Sequence, residues 1–249
     1  MYDAQVSRIN EEVSYKQPGL LKRILWVLTS PGKLMVNLAE RPRVLFGLIL
    51  SALSMEVVYI SRLSLFKDTL RSASLASADY TESLTGQTMT AEMVEQNMPF
   101  ATIFGLISTP FTMVIGLLIT TLIFFAILKL MGGQGKFKAY LSVTGYAYVI
   151  SALYLLLLIP VSFITGSLHE NAPLTSLATL ASPDMAGTFF NGILKGIDIF
   201  SIWHYAVMAI GFTVVSKLKK VYVYGVVAGI FMIGLIIAGV GESALKVFM

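Results

Sequence analysis

Five long apolar runs divide the chain, at Val44 to Leu63, Ile103 to Leu128, Leu141 to Ile164, Ile197 to Val215 and Val221 to Val240. None alternates with the period of two that marks a strand or a barrel, and each is near the ~20 residues that a ~30 Å hydrocarbon layer requires of a helix. Helices are then the way to satisfy every backbone group in lipid. The pattern predicts an all-α fold, a polytopic bundle of five transmembrane helices over residues 44–249, preceded by a segment over 1–43. The second run is long enough to need tilt or a bend at Pro110, and Pro160 is placed to bend the third near its end.

Shorter patterns fill the remainder. In "LLKRILWVL", Leu20, Leu21, Ile24, Leu25 and Leu28 share one helical face, and "KLMVNLAER" repeats this with Leu34, Met35 and Leu38. Both predict N-terminal amphipathic helices, lying on lipid headgroups or packed on the bundle itself. Between the first two runs, "SASLASADYTESLTGQTM" reads as a loop, after which Thr90 caps a short helix through "AEMVEQNM" with Glu92 in its first turn. Ser182, Pro183 and Asp184 make a parallel start before "MAGTFFNGIL". Each outer loop is thus expected to enter its next span through a short helix.

Charge gives this pattern a direction. Arg8, Lys16, Lys22, Arg23, Lys33, Arg41 and Arg43 precede the first run; Lys129, Lys136 and Lys138 follow the second; Lys217, Lys219 and Lys220 follow the fourth. The other side carries Arg62, Lys67, Arg71, Lys195 and Lys246 with most of the acids, among them Asp68, Asp79, Glu82, Glu92, Glu95, Glu170, Asp184 and Asp198. Basic loops stay in the cytoplasm, so a cytoplasmic amino terminus and an extracytoplasmic carboxyl terminus are expected. Lys22, Arg23, Lys33, Arg41 and Arg43 are the candidates for contact with anionic lipid. The net charge of +4 reflects this sidedness, and no nucleic acid partner is expected.

Composition agrees: 56% of residues are hydrophobic and 13% charged, against roughly 25% charged in soluble domains. Little reactive chemistry accompanies it. With no Cys and only His169 and His204, thiol chemistry and the H-E-x-x-H and G-x-S-x-G motifs lack their parts. The stretch "GGQGKFK" at 132–138 has Leu130 where a phosphate loop needs its first glycine and Phe137 where it needs a hydroxyl, so it reads as a tight turn between spans. No catalytic residue, cofactor or metal is expected.

Polar groups inside the runs need an account, because a mid-bilayer charge costs roughly 2.5–3.5 kcal/mol. Glu56 lies below Arg62, and His204 below Asp198, by the same number of residues. Equal depth allows Glu56 to meet His204, with Arg62 and Asp198 above them, if the first and fourth spans are neighbours. The functional alternative is a proton or ion relay. Gly225 and Gly229 form a G-x-x-x-G pair whose direct meaning is close helix contact, expected within the bundle ahead of a dimer seam.

Several segments together resemble the Yip1 domain family in its bacterial form: "LLKRILWVLTSP", "GGQGKFKAYLSVTGYAYV" and "GIDIFSIWHYAVMAIGFTVVSKLKK". The most specific elements are Gly132-Gly133, Gly145-Tyr146, the Asp198 to Trp203 stretch and Gly211. The eukaryotic branch carries an Asp-Leu-Tyr-Gly-Pro motif in a long cytosolic segment that engages Rab-type GTPases; this chain lacks the motif. The resemblance implies a multi-pass protein of the bacterial inner membrane, some relatives being accessory to ABC-type transporters. The expected function is a non-catalytic membrane scaffold or accessory protein whose partners are the lipid bilayer and another membrane protein, a homo-oligomer remaining open. The alternative is a small transporter or channel.

Overall fold

Span three is the helix on which spans one, two and four and the N-terminal helices pack. The computed structural model describes residues 18–78, 82, 86, 90–169 and 173–247. Its helices are α1 (Leu20–Thr29), α2 (Pro31–Glu40), α3 (Val44–Ser61), α4 (Leu63–Ala76), α5 (Ala91–Leu130), α6 (Phe137–Thr165), α7 (Phe189–Gly196), α8 (Ile199–Ser216) and α9 (Lys220–Val247). Short 3₁₀ turns at Leu177–Leu180 and Pro183–Met185 precede α7. The long apolar helices α3, α5, α6, α8 and α9 are spans one to five and coincide with the five runs of the sequence. Arg8, Lys16, Asp79 and Glu170 lie outside the described residues.

Span three packs most extensively on span one, then on span four, and more narrowly on span two. Small side chains make this possible: Ala139, Ser142, Gly145 and Ala147 are all buried on α6. A Cβ at Gly145 would lie 2.8 Å from Gly47 Cα, so the first and third spans touch backbone to backbone. A Cβ at Gly211 would lie 2.8 Å from Met35 Sδ, so the Met35 side chain of α2 rests on the bare backbone of span four.

The N-terminal helices take part in this core. Val27, Leu34, Met35 and Leu38 are fully buried and belong to the cluster containing Tyr140, Tyr146 and Phe212. The apolar face of α2 is therefore covered by protein. That of α1 is divided, with Val27 inward while Leu21 and Leu25 remain 78% and 58% exposed.

The glycines of "GGQGKFK" end span two. Gly132 and Gly135 take positive φ, 88° and 79°, which glycine adopts without a Cβ clash. Gly133 N–H donates to Leu128 C=O at 2.8 Å and Gly132 N–H to Lys129 C=O at 3.0 Å, the Schellman pairing that satisfies a helix's last carbonyls. Gln134 N–H then reaches Ser216 C=O at 2.7 Å, tying this turn to the end of span four.

The distal connections, those on the side away from α1 and α2, differ from expectation. Residues 72–76 of the Ser/Ala-rich stretch are helical, completing α4, because that helix lies along α5, tied to it by Arg71 on Glu95 and Phe66 on Gly105. Thr90 does cap, accepting from Met93 N–H at 3.3 Å, but the helix it starts is not short. It runs unbroken for 40 residues through Pro99 and Pro110, a length of about 60 Å at ~1.5 Å per residue. In the second connection, Ser182-Pro183-Asp184 opens only a 3₁₀ turn. Thr188 caps the following helix instead, accepting from Asn191 N–H at 3.2 Å.

Candidate functional site: a polar cluster inside the bundle

Spans one, two, three and four bring a few polar groups together among apolar walls. Ser54 on span one donates to Tyr148 Oη on span three at 3.3 Å, and the Tyr148 hydroxyl lies 3.8 Å from Met113 Sδ on span two. One turn along span three, Ser151 Oγ is 3.2 Å from His204 Nδ1 on span four. The His204 ring stands edge-on to Tyr148 at 6.4 Å and to Tyr205 at 5.7 Å. Helical spacing explains the set: Tyr148 and Ser151 are three apart and share one face of α6. The cluster can fix helix rotation and hold one imidazole orientation. The His204 ring also hydrogen-bonds to the Ala147 backbone, so two positions one turn apart on span three hold the imidazole.

The depth pairing expected from the sequence does not form. Span three lies between spans one and four, which share no extensive contact, so Glu56 and His204 have separate surroundings. His204 is on Ser151, whereas Glu56 is buried with Oε1 lacking any hydrogen-bond partner. Arg62 and Asp198 are not joined either. Arg62 Nη2 donates to Ser162 C=O at 3.0 Å and its guanidinium lies 4.0 Å over the Phe163 ring. Asp198 caps span four, accepting from Phe200 N–H at 2.9 Å and Ser201 N–H at 3.0 Å, and takes the Thr175 hydroxyl on its other oxygen. Which spans are adjacent depends on packing order, which hydropathy does not encode.

The other candidates divide in the same way. Gly225 and Gly229 have no atom within 4 Å of an added Cβ, so their face is not a contact within the bundle, contrary to expectation. Lys22, Lys33, Arg41 and Arg43 are exposed. Arg23 is not: it is 5% exposed and its Nε donates to Asn37 Oδ1 at 3.3 Å, bracing α1 against α2. It therefore leaves the lipid-facing set.

A second polar site was not singled out in the sequence. Glu242 Oε1 near the end of α9 accepts from Lys195 Nζ at 2.6 Å, Asn191 Nδ2 at 3.2 Å and Gly187 N–H at 3.3 Å. Beneath it, a Cβ at Gly239 would lie 2.7 Å from Phe189 C=O, so α7 lies across span five at backbone distance. The readable signal was Gly239 and Glu242 spaced three apart on one helical face. On the neighbouring hairpin, Arg71 bridges Asp68 at 3.0 Å and Glu95 at 2.5 Å. The Glu95 hydrogen bond and charge raise the Arg71 guanidinium's pKa above its ordinary value.

The Yip1 domain matches residues 26–241. The chain belongs to the Yip1 domain family. The match to the Yip1 domain begins in α1 and ends in α9, taking in the buried α2 face, the Gly132-Gly133 turn, Gly145 at the span contact and Gly211. Within the Yip1 domain family, the chain is similar to the membrane protein YknW of Bacillus subtilis (strain 168), 28% identical over 214 residues, covering 85% of each chain. No solved structure matches.

Proposed function

We propose that this Yip1 family membrane protein is a non-catalytic scaffold that holds a second membrane complex in the bacterial inner membrane. The observation that carries this reading is the hairpin of α4 and the first part of α5. Phe66 of α4 packs against Gly105 of α5 just beyond Arg62, where span one ends. Residues 91–104 of α5 therefore continue past that level for about 21 Å. Along its uncovered face run Phe100, Ile103, Phe104, Ile107 and Phe111, each 59–71% exposed. An apolar row that continues from a span onto a projecting helix suits a partner with both a membrane part and an extramembrane part. The partner class we propose is an ABC-type transporter. The clustering of basic residues supports a cytoplasmic side for α1 and α2 and the opposite side for this hairpin.

Purification from native membranes in mild detergent tests the reading. A stoichiometric membrane partner, lost when Phe100 and Phe104 are both changed to Ser, is the expected result. Solute flux from the purified protein alone in liposomes would favour the transporter reading instead.

A further inference from the structure

Glu56 is a carboxyl in the middle of span one that the polar cluster does not use. It is 8% exposed, and its Oε1 is buried with no hydrogen-bond partner. A buried acid with an open oxygen is costly and needs either a partner or a ligand.

Its surroundings can be read from contacts on either side of it. Below, Ser54, Tyr148 and Met113 form one chain, so Met113 of span two lies near the level of Ser54. Above, Tyr59 stacks on Phe66 at 4.2 Å, and Phe66 packs on Gly105 of span two. Spans one and two therefore run side by side in opposite senses between these levels. Glu56 is one turn from Tyr59 and shares its face, opposite the part of span two that contains Thr109 and Pro110.

Proline has no N–H, so Pro110 leaves the Leu106 carbonyl without its helical donor. Thr109 Oγ1 donates to Gly105 C=O at 2.8 Å and keeps its lone pairs available. A carboxyl, a carbonyl left without its helical donor and a hydroxyl are oxygen ligands of the kind that hold a proton or sodium, here beside a helix that continues through its proline.

Spans two and three bring no opposite charge to the site, and Lys67, next to Phe66 on α4, is exposed. Span two has no Asp, Glu, Lys, Arg or His from Met98 to Leu128, and span three has none from Ala139 to Thr165, offering only tyrosines as titratable groups. Of these, Tyr148 faces this region and is engaged by Ser54 and Met113. On span one, Arg62 is turned to Ser162 and Phe163. We propose that Glu56, with the Leu106 carbonyl and the Thr109 hydroxyl, forms an intramembrane site for a small monovalent cation, either a proton or sodium. This site does not depend on the scaffold reading.

Dicyclohexylcarbodiimide, an apolar reagent that adds to protonated carboxyls, tests it on the purified full chain in detergent, with labelled peptides mapped by mass spectrometry. Glu56 should label several-fold more than exposed Glu40, and the label should be absent in Glu56→Gln. If sodium replacing choline suppresses labelling, the site takes sodium; if labelling is unchanged, it takes a proton. Pro110→Ala, which returns a donor to Leu106, should lower labelling several-fold while elution and melting temperature report an intact fold. The proposal is overturned if native Glu56 labels no more than Glu40 although it labels after denaturation, or if folded Pro110→Ala labels as the wild type does.

Discussion

Gly47 and Gly145 meet without side chains between them, and this contact sets the distance between the first and third spans. A methyl group on either glycine would overlap the other's backbone. Gly47→Ala and Gly145→Ala should each destabilise the bundle by about 1–3 kcal/mol, read as a lowered melting temperature in detergent. Gly229→Ala, whose new methyl meets nothing, should leave that temperature unchanged or slightly raised.

The Glu242 latch predicts a local loosening. Three donors converge on one Glu242 oxygen, so Glu242→Ala leaves partly buried donors unpaired at a cost of about 1–3 kcal/mol. Because the chain has no native cysteine, a single cysteine placed at Phe189 can report α7 detachment. It should react with a thiol probe several-fold faster in the Glu242→Ala background than in the wild type.

Arg23 and Lys22 are neighbours with opposite fates. Arg23→Ala removes a buried donor to Asn37 and should cost about 1–3 kcal/mol of stability. Lys22→Ala should change stability by less than about 0.5 kcal/mol, while lowering affinity for vesicles containing anionic lipid. Equal melting temperatures for the two variants would contradict the packing of α1.

His204 and Glu56 should behave independently. A double-mutant cycle on Glu56→Gln and His204→Gln, followed by melting temperature, should give coupling within about 0.5 kcal/mol because span three separates them. Ser151→Ala with His204→Gln should be coupled beyond that margin, since those side chains are in direct contact.

The spans were legible because lipid imposes one length and one polarity on every crossing, whatever the packing. Their neighbours were not. Glu56 and His204 are spaced alike from Arg62 and Asp198, yet nothing in either helix states that span three comes between them. Helical faces were similarly half readable. Leu34, Met35 and Leu38 announced an apolar face on α2, but whether lipid or Tyr140 and Phe212 cover it is a tertiary fact. Arg23 misled because a guanidinium can be buried when a neighbouring helix supplies an acceptor, here Asn37. The α4 helix was hidden by its serines and alanines, which resemble a loop in composition and become a helix once α5 lies beside them.

The bond from Gln134 N–H to Ser216 C=O joins two stretches that leave the ribosome far apart in time. The turn between spans two and three is made early, but its last backbone donor finds its acceptor only when the end of span four has been synthesised. Until then Gly135 also lacks the Val215 surface on which it closes. The early hairpin must therefore wait in the membrane with an unfinished corner. A chain stalled before residue 216 should expose that corner to added protease, and a completed chain should not.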